Sequence, residues 1–229
     1  MLKLIVFFLL ISTFGIAQNI NNGIDFSDSK NLILLQNINN RNNFFGVNNA
    51  VINQPKKFYR FWNTSYCIEV TESENNINGR VIFAVENLNK KSDYYRKIFP
   101  LTQQQTEKIF EIIKIYDLET LPTDNKISGW LRGFDGNLFE IESNINNIYT
   151  YKSYWTPTVQ NNVPEAKKII SLTDNLNEII NIIDLKKQYD TENKFLSYRP
   201  YGVSYSVLKI LTKKEVRKQK RIERKNKKS

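Results

Sequence analysis

The sequence predicts an α+β fold, an antiparallel β-sheet (a meander) with two amphipathic helices packed on one face. Three observations predict it. Short runs of β-branched and aromatic residues separated by turn-rich stretches recur between residues 56 and 210. A capping box opens a segment near 102–118 whose apolar residues fall at helical spacing, and a proline-led helical pattern occupies 163–186.

Taken in chain order, Phe58 to Trp62, Tyr66 to Val70 and Arg80 to Glu86 read as strands, with Glu74 to Gly79 as a turn. Pro100 and the box Thr102-x-x-Gln105 then start a helix whose buried face is Ile109, Ile112, Ile113 and Tyr116, and Leu121-Pro122 closes it. Trp130 to Phe134, Leu138 to Ser143 and Ile148 to Trp155 read as three further strands, joined at Asp135-Gly136 and at 144–147. Pro164 and Glu165 suit the first turn of a second helix, and Ile169, Ile170, Leu176, Ile179, Ile180 and Ile183 line its apolar face. Ser171 to Asp174 is its weak point. Phe195 to Leu211 reads as a last extended segment, interrupted by Arg199-Pro200-Tyr201-Gly202. About five to seven strands are expected in all.

The chain has 229 residues, 8 Gly, 6 Pro, one Cys and no His. With 41% hydrophobic and 13% aromatic residues it has the material for one packed core, so collagen-like, wholly disordered and disulfide-stapled classes are excluded. The absence of histidine removes Ser-His-Asp and Cys-His chemistry, and one cysteine cannot build a Cys-rich zinc cage. Lone Cys67 reads as a small buried strand residue. Chemistry is left to carboxylates, Lys, Ser and Tyr.

Composition divides the chain. Residues 1–17 read as a signal peptide: Lys3, an apolar run from Leu4 to Phe14, and the small-x-small triplet Gly15-Ile16-Ala17 before Gln18. The run is shorter than the roughly 20 apolar residues that span a bilayer, so export with cleavage is the expectation over an anchor. Residues 18–55 contain twelve Asn and read as a loosely ordered lead-in, and 56–211 as the single α+β domain. Residues 212–229 form a basic tail. Thr212-x-x-Glu215 and the pair Leu211 and Val216 predict that it starts as a helix.

The charge belongs to that tail. Lys213, Lys214, Arg217, Lys218, Lys220, Arg221, Arg224, Lys225, Lys227 and Lys228 stand against Glu215 and Glu223, a net of +8. Residues 18–212 carry 22 basic and 21 acidic residues. A basic terminal arm on a balanced body implies salt-sensitive attraction to an anionic envelope surface or another polyanion, and the competing reading is a tail that only aids solubility.

Four constellations could carry chemistry. Glu140 and Glu142 alternate with Phe139 and Ile141, so on a strand both face one side, about 6.7 Å apart by strand rise. That separation lies in the range of about 6.5 to 9.5 Å used by inverting glycosidases, and Trp130, Tyr149, Tyr151, Tyr154 and Trp155 could stack on a sugar. On the structural reading the two charges sit on a wet sheet face, balanced by Lys152 or Arg132. Two Ser-x-x-Lys matches, Ser27 to Lys30 and Ser206 to Lys209, lack the companion motifs of a serine acylase. Aromatic and basic residues interleave at Lys56 to Trp62 and at Phe195, Tyr198, Arg199, Tyr201 and Tyr205, a stacking platform if exposed and core if buried. Asp124, Asn125, Asp135 and Asn137 offer oxygen ligands without EF-hand spacing, and turns explain them better. No phosphate loop or dinucleotide fingerprint occurs, and neither cofactor nor metal is expected.

The sequence thus predicts a non-enzymatic exported binding module of the cell envelope, periplasmic or secreted, that holds a protein or envelope partner through the sheet domain while the tail adds electrostatic attachment. A carbohydrate-active hydrolase using Glu140 and Glu142, and a nucleic-acid-binding protein using tail and aromatics, are the alternatives.

Overall fold

The structure is a computed structural model that describes residues 29–49, 57–74, 76–146 and 148–209, with 216, 217 and 221. It is an α+β fold of four helices and an eight-stranded open antiparallel sheet.

The sheet runs β6-β5-β1-β2-β3 across its centre. Strand β1 spans Lys57–Trp62, β2 Tyr66–Ser73, β3 Asn76–Asn87, β4 Tyr94–Pro100, β5 Leu138–Ile145 and β6 Ile148–Trp155. Short β7 (Ser197–Arg199) and β8 (Val207–Leu208) complete it. β3 is the long organiser. Its residues 80–83 pair with β2 and β4 at once, and Glu86 pairs with both Tyr94 and Arg199, so β7 continues along the edge that β2 leaves.

Strand alternation makes two cores. Tyr59, Phe61, Ile68, Val70, Val81, Phe83 and Ile141 point to one face, where they meet α2 (Gln103–Ile115) and α3 (Pro164–Ile180). The predicted cap is present: the Gln105 amide N–H donates to Thr102 Oγ1, and the Gln105 side chain returns to the Thr102 backbone. Its other amide end donates to Ile179 O at 2.9 Å, tying the start of α2 to the end of α3. Ala166, Ile169, Leu172, Leu176 and Ile180 form the buried stripe of α3.

Four expectations need correction. The pattern over 163–186 is two helices, because Asn181 adopts a left-handed backbone (φ 55°) between α3 and α4 (Ile182–Glu192), well beyond the weak point at 171–174. Asn tolerates that region better than other non-glycine residues. Trp130 to Phe134 is a loop, not a strand: Gln160 supplies the hydrogen bonds that a strand neighbour would, taking Leu131 N–H at 2.8 Å and donating to Leu131 O at 3.0 Å. β4 lies where no strand was assigned, and with β7 and β8 it raises the count to eight.

The fourth correction matters most for function. The Asn-rich stretch read as a loose lead-in contains α1, Ser29–Phe45, on the opposite face of the sheet from α2 and α3. Ile38, Arg41, Asn42 and Phe45 form its buried side at helical spacing. Phe44, Phe45 and Val47 pack with Trp62, Cys67, Ile82 and Ala84. The helix ends at Gly46 (φ 70°) with Val47 N–H donating to Asn42 O, a Schellman ending, while Arg96 donates to the carbonyls of Asn43 and Phe44. Residues 1–28 and most of the tail lie outside the described residues.

Candidate functional site

Glu140 and Glu142 do share one face, as their spacing on a strand requires, and that face is the one beneath α1. Antiparallel register places Tyr151, Glu142, Arg60, Glu69 and Arg80 side by side on β6, β5, β1, β2 and β3. Four of the five are charged and their signs alternate. Arg60 Nε donates to Glu69 Oε2 at 2.5 Å, its Nη1 lies 3.5 Å from Glu142 Oε2, and Arg80 Nη2 is 2.6 Å from Glu69 Oε1.

Arg41 descends on this row from α1. Its Nη2 donates to Glu142 Oε1 at 2.5 Å and its Nη1 to Glu140 Oε2, while the guanidinium carbon sits 4.1 Å above the Trp62 ring. One guanidinium therefore joins both carboxylates and stacks on the indole. The Glu142 side chain is 0% exposed and the Glu140 side chain 18%. Three guanidinium groups and three carboxylates close into a network of zero net charge, the arrangement that buried ions require. Burial, opposed by Arg41, holds the Glu140 carboxyl above its ordinary range, and burial likewise raises the Tyr149 phenol and the Cys67 thiol.

The balancing partners differ from those expected. Lys152 lies on the opposite face, where its Nζ donates to Leu118 O at 2.6 Å and Glu119 O at 2.8 Å, and burial lowers its ammonium to about 8. Arg132 pairs with Asp124 at 2.5 Å. That contact, with the Trp155 N–H donating to the other oxygen of Asp124, engages both carboxylate oxygens of the residue and accords with the turn reading of this cluster. Among the described residues no group of three or more His, Cys, Asp or Glu is placed to hold a metal.

The interleaved aromatics divide. Phe58, Tyr59, Phe61 and Trp62 are all buried, so that run is core, and Lys57 pairs with Glu72 at 3.0 Å. In the second set Tyr205 is exposed, Phe195, Tyr198 and Tyr201 are partly buried, and Arg199 pairs with Glu86 at 2.9 Å. Lys209 Nζ donates to Asn193 O, and the other Ser-x-x-Lys match lies outside the described side chains. Of the tail, Arg217 and Arg221 are exposed and helical, while Lys213, Lys214, Lys218, Lys220, Arg224, Lys225, Lys227 and Lys228 lie outside the described residues.

Sequence reasoning missed Arg41, Glu69 and Arg80, and placed Arg60 in the aromatic–basic run rather than among the carboxylates. The strand triad had a signal in the charges set at alternating positions within otherwise apolar runs; Arg41 had none, since its neighbours are polar. Where Glu140 reaches the surface, a cavity of about 280 Å³ opens between α1, the β1–β2 turn and the β5 end, lined by Leu34, Arg41, Thr64, Leu138, Tyr151 and Tyr201 among others. No protein-family model matches the chain and no curated protein is similar to it in sequence, so the reading of this site rests on its geometry.

Proposed function

We propose that the protein is an exported, non-enzymatic binding module of the cell envelope, whose sheet domain holds a partner while the basic tail adds electrostatic attachment. One observation carries this reading. Residues 18–212 carry 22 basic and 21 acidic residues, and six of these, Arg41, Arg60 and Arg80 against Glu69, Glu140 and Glu142, cancel in the buried network, so the net +8 of residues 213–229 makes up nearly all the excess charge from residue 18 onwards. Basic residues close to an anionic leaflet contribute about 1 kcal/mol each, and the attraction fades within a Debye length of about 10 Å at 0.1 M salt.

The hydrolase alternative is disfavoured by Arg41. An inverting pair needs one protonated and one ionised carboxyl with room for a water between them, whereas here a single guanidinium donates to an oxygen of each. The nucleic-acid alternative loses its first aromatic run to the core.

The test is co-sedimentation with vesicles of phosphatidylglycerol and phosphatidylcholine, and separately with single-stranded DNA, over a salt series, using the chain from Gln18 with and without residues 212–229. Attachment to the anionic vesicles that falls with salt and disappears with the tail is the expected result. Attachment unaffected by the deletion, or none even at low salt, would sink the reading. Tight DNA binding that survives tail deletion would favour the nucleic-acid alternative instead.

A further inference from the structure

We propose that the cavity between α1 and the end of β5 is a binding site for one neutral sugar residue, with Glu140 as the acceptor for its hydroxyls. The proposal rests on the binding-module reading and gives its sheet domain a ligand class.

Size comes first. Small-molecule sites usually span about 300 to 1,000 Å³, and this one, at about 280 Å³, falls just below that range, a size that suits a single six-membered ring and nothing larger. Charge comes second. Arg41 is shared between Glu140 and Glu142 within a network of zero net charge, so the floor offers no surplus attraction to an anion or a cation. A neutral ligand suits it better.

Hydrogen-bonding capacity comes third. A carboxylate can accept about four hydrogen bonds, and Glu140 takes one from Arg41 Nη1 and one from the Tyr151 hydroxyl. Its partly exposed carboxylate keeps capacity for ligand O–H donors, in charge-assisted bonds stronger than neutral ones. Asn63 and Thr64 at the β1–β2 turn add amide and hydroxyl groups at the rim. Tyr151, Tyr201, Leu34 and Leu138 supply the apolar wall that the C–H face of a pyranose needs. Tyr201 is fixed by its ring contact with Phe44 at 5.2 Å and by its hydroxyl on Asn37 O at 3.2 Å, so the wall is preformed. Gly202 beside it has no atom within 4 Å of where a Cβ would stand, which leaves the entrance open.

The experiment titrates the chain from Gln18, and the same chain lacking residues 212–229, with glucose, galactose, mannose and N-acetylglucosamine, read by saturation-transfer NMR and calorimetry. At least one sugar should saturate with a Kd on the order of 1 mM, the affinity about a dozen heavy atoms deliver, and with equal strength in both chains. Leu34→Trp fills the cavity from half-buried α1 and should weaken binding by about tenfold or more, the loss of roughly one good contact, with circular dichroism unchanged. If that variant does not fold, Tyr201→Ser decides by the same criterion. No saturable binding by any of the four, or binding that the cavity variant leaves intact, overturns the site. Vesicle attachment that persists without sugar binding sinks the sugar site alone, and sugar binding without vesicle attachment sinks the tail's role alone.

Discussion

Arg41 on α1 donates to Glu142 on β5, a partner 101 positions further along the chain. That contact fixes α1 to the sheet through a charge that cannot reach water, since Glu142 is wholly buried. Arg41→Leu leaves Glu142, among the described residues, with Arg60 at 3.5 Å as its remaining cation. Breaking a buried pair from one side costs about 3–5 kcal/mol, so the urea midpoint should fall steeply. The double variant Arg41→Leu, Glu140→Gln should recover part of the loss, because it returns the network to zero net charge, with Arg60 and Arg80 against Glu69 and Glu142. A midpoint for Arg41→Leu within error of the parent would show that the bridge contributes nothing.

Cys67 reports on the same helix. Its thiol is 0% exposed among Phe44, Phe45 and Trp62, and burial raises its pKa, so both access and thiolate content are low. Labelling of the native chain by a thiol reagent should be slow and should accelerate in Arg41→Leu under conditions where α2 and α3 remain folded by circular dichroism. Equal labelling rates would mean that α1 stays docked without its arginine.

Lys152 gives a pH signature. Burial depresses its ammonium from 10.5 to about 8, against the attraction of Glu119 and Asp117. Between those values the unfolded chain holds a proton that the folded chain has released. The stability contributed by this group is therefore lowest below about 8 and rises towards 10.5, by an upper limit of about 3 kcal/mol. Stability curves of the parent and of Lys152→Met should diverge in that direction across the window, and parallel curves would contradict the shift.

Gln160 holds the loop over 130–137 by bonding both the N–H and the carbonyl of Leu131. Gln160→Ala leaves those backbone groups without their clamp, a local cost of about 1–3 kcal/mol. Hydrogen exchange at the Leu131 amide should speed up by one to two orders of magnitude, roughly what that cost converts to, while amides of β2 and β3 keep their protection.

Leu172 is completely buried in the middle of α3 against the sheet. Leu172→Ala should cost about 2–5 kcal/mol in chemical denaturation without changing the fold. Ile183→Ala, on an exposed position of α4, should cost far less.

Much of this architecture was legible in the sequence, and the illegible parts share a cause. α2 announced itself because Thr102, Gln105 and the isoleucine spacing are local signals that the tertiary structure reinforces. β1, β2, β5 and β6 were legible because each is a short run rich in β-branched and aromatic residues bounded by turn-rich stretches, again a local signal. α1 was hidden because its docking face mixes Ile38 and Phe45 with polar Asn42 and with Arg41, whose charge is balanced by carboxylates about a hundred residues away. Trp130 to Phe134 misled because apolar content was taken for strand while Gln160, thirty residues later, decided its backbone. The carboxylate pair was placed on the correct face, but what covers it was a long-range fact that strand periodicity does not encode.

The charged row also bears on how the sheet finds its alignment. A two-residue slip of β1 against β2 keeps every side chain on its own face, so hydrophobic patterning cannot penalise it. It would, however, set Arg60 against Cys67 or Thr71 and leave Glu69 facing Trp62 or Phe58, stranding both ions in an apolar interior. The same holds for β5 and β3 through Glu142 and Arg80. The row acts as a key with one fitting position, so four strands made chiefly of interchangeable hydrophobic and aromatic residues have a single low-energy pairing.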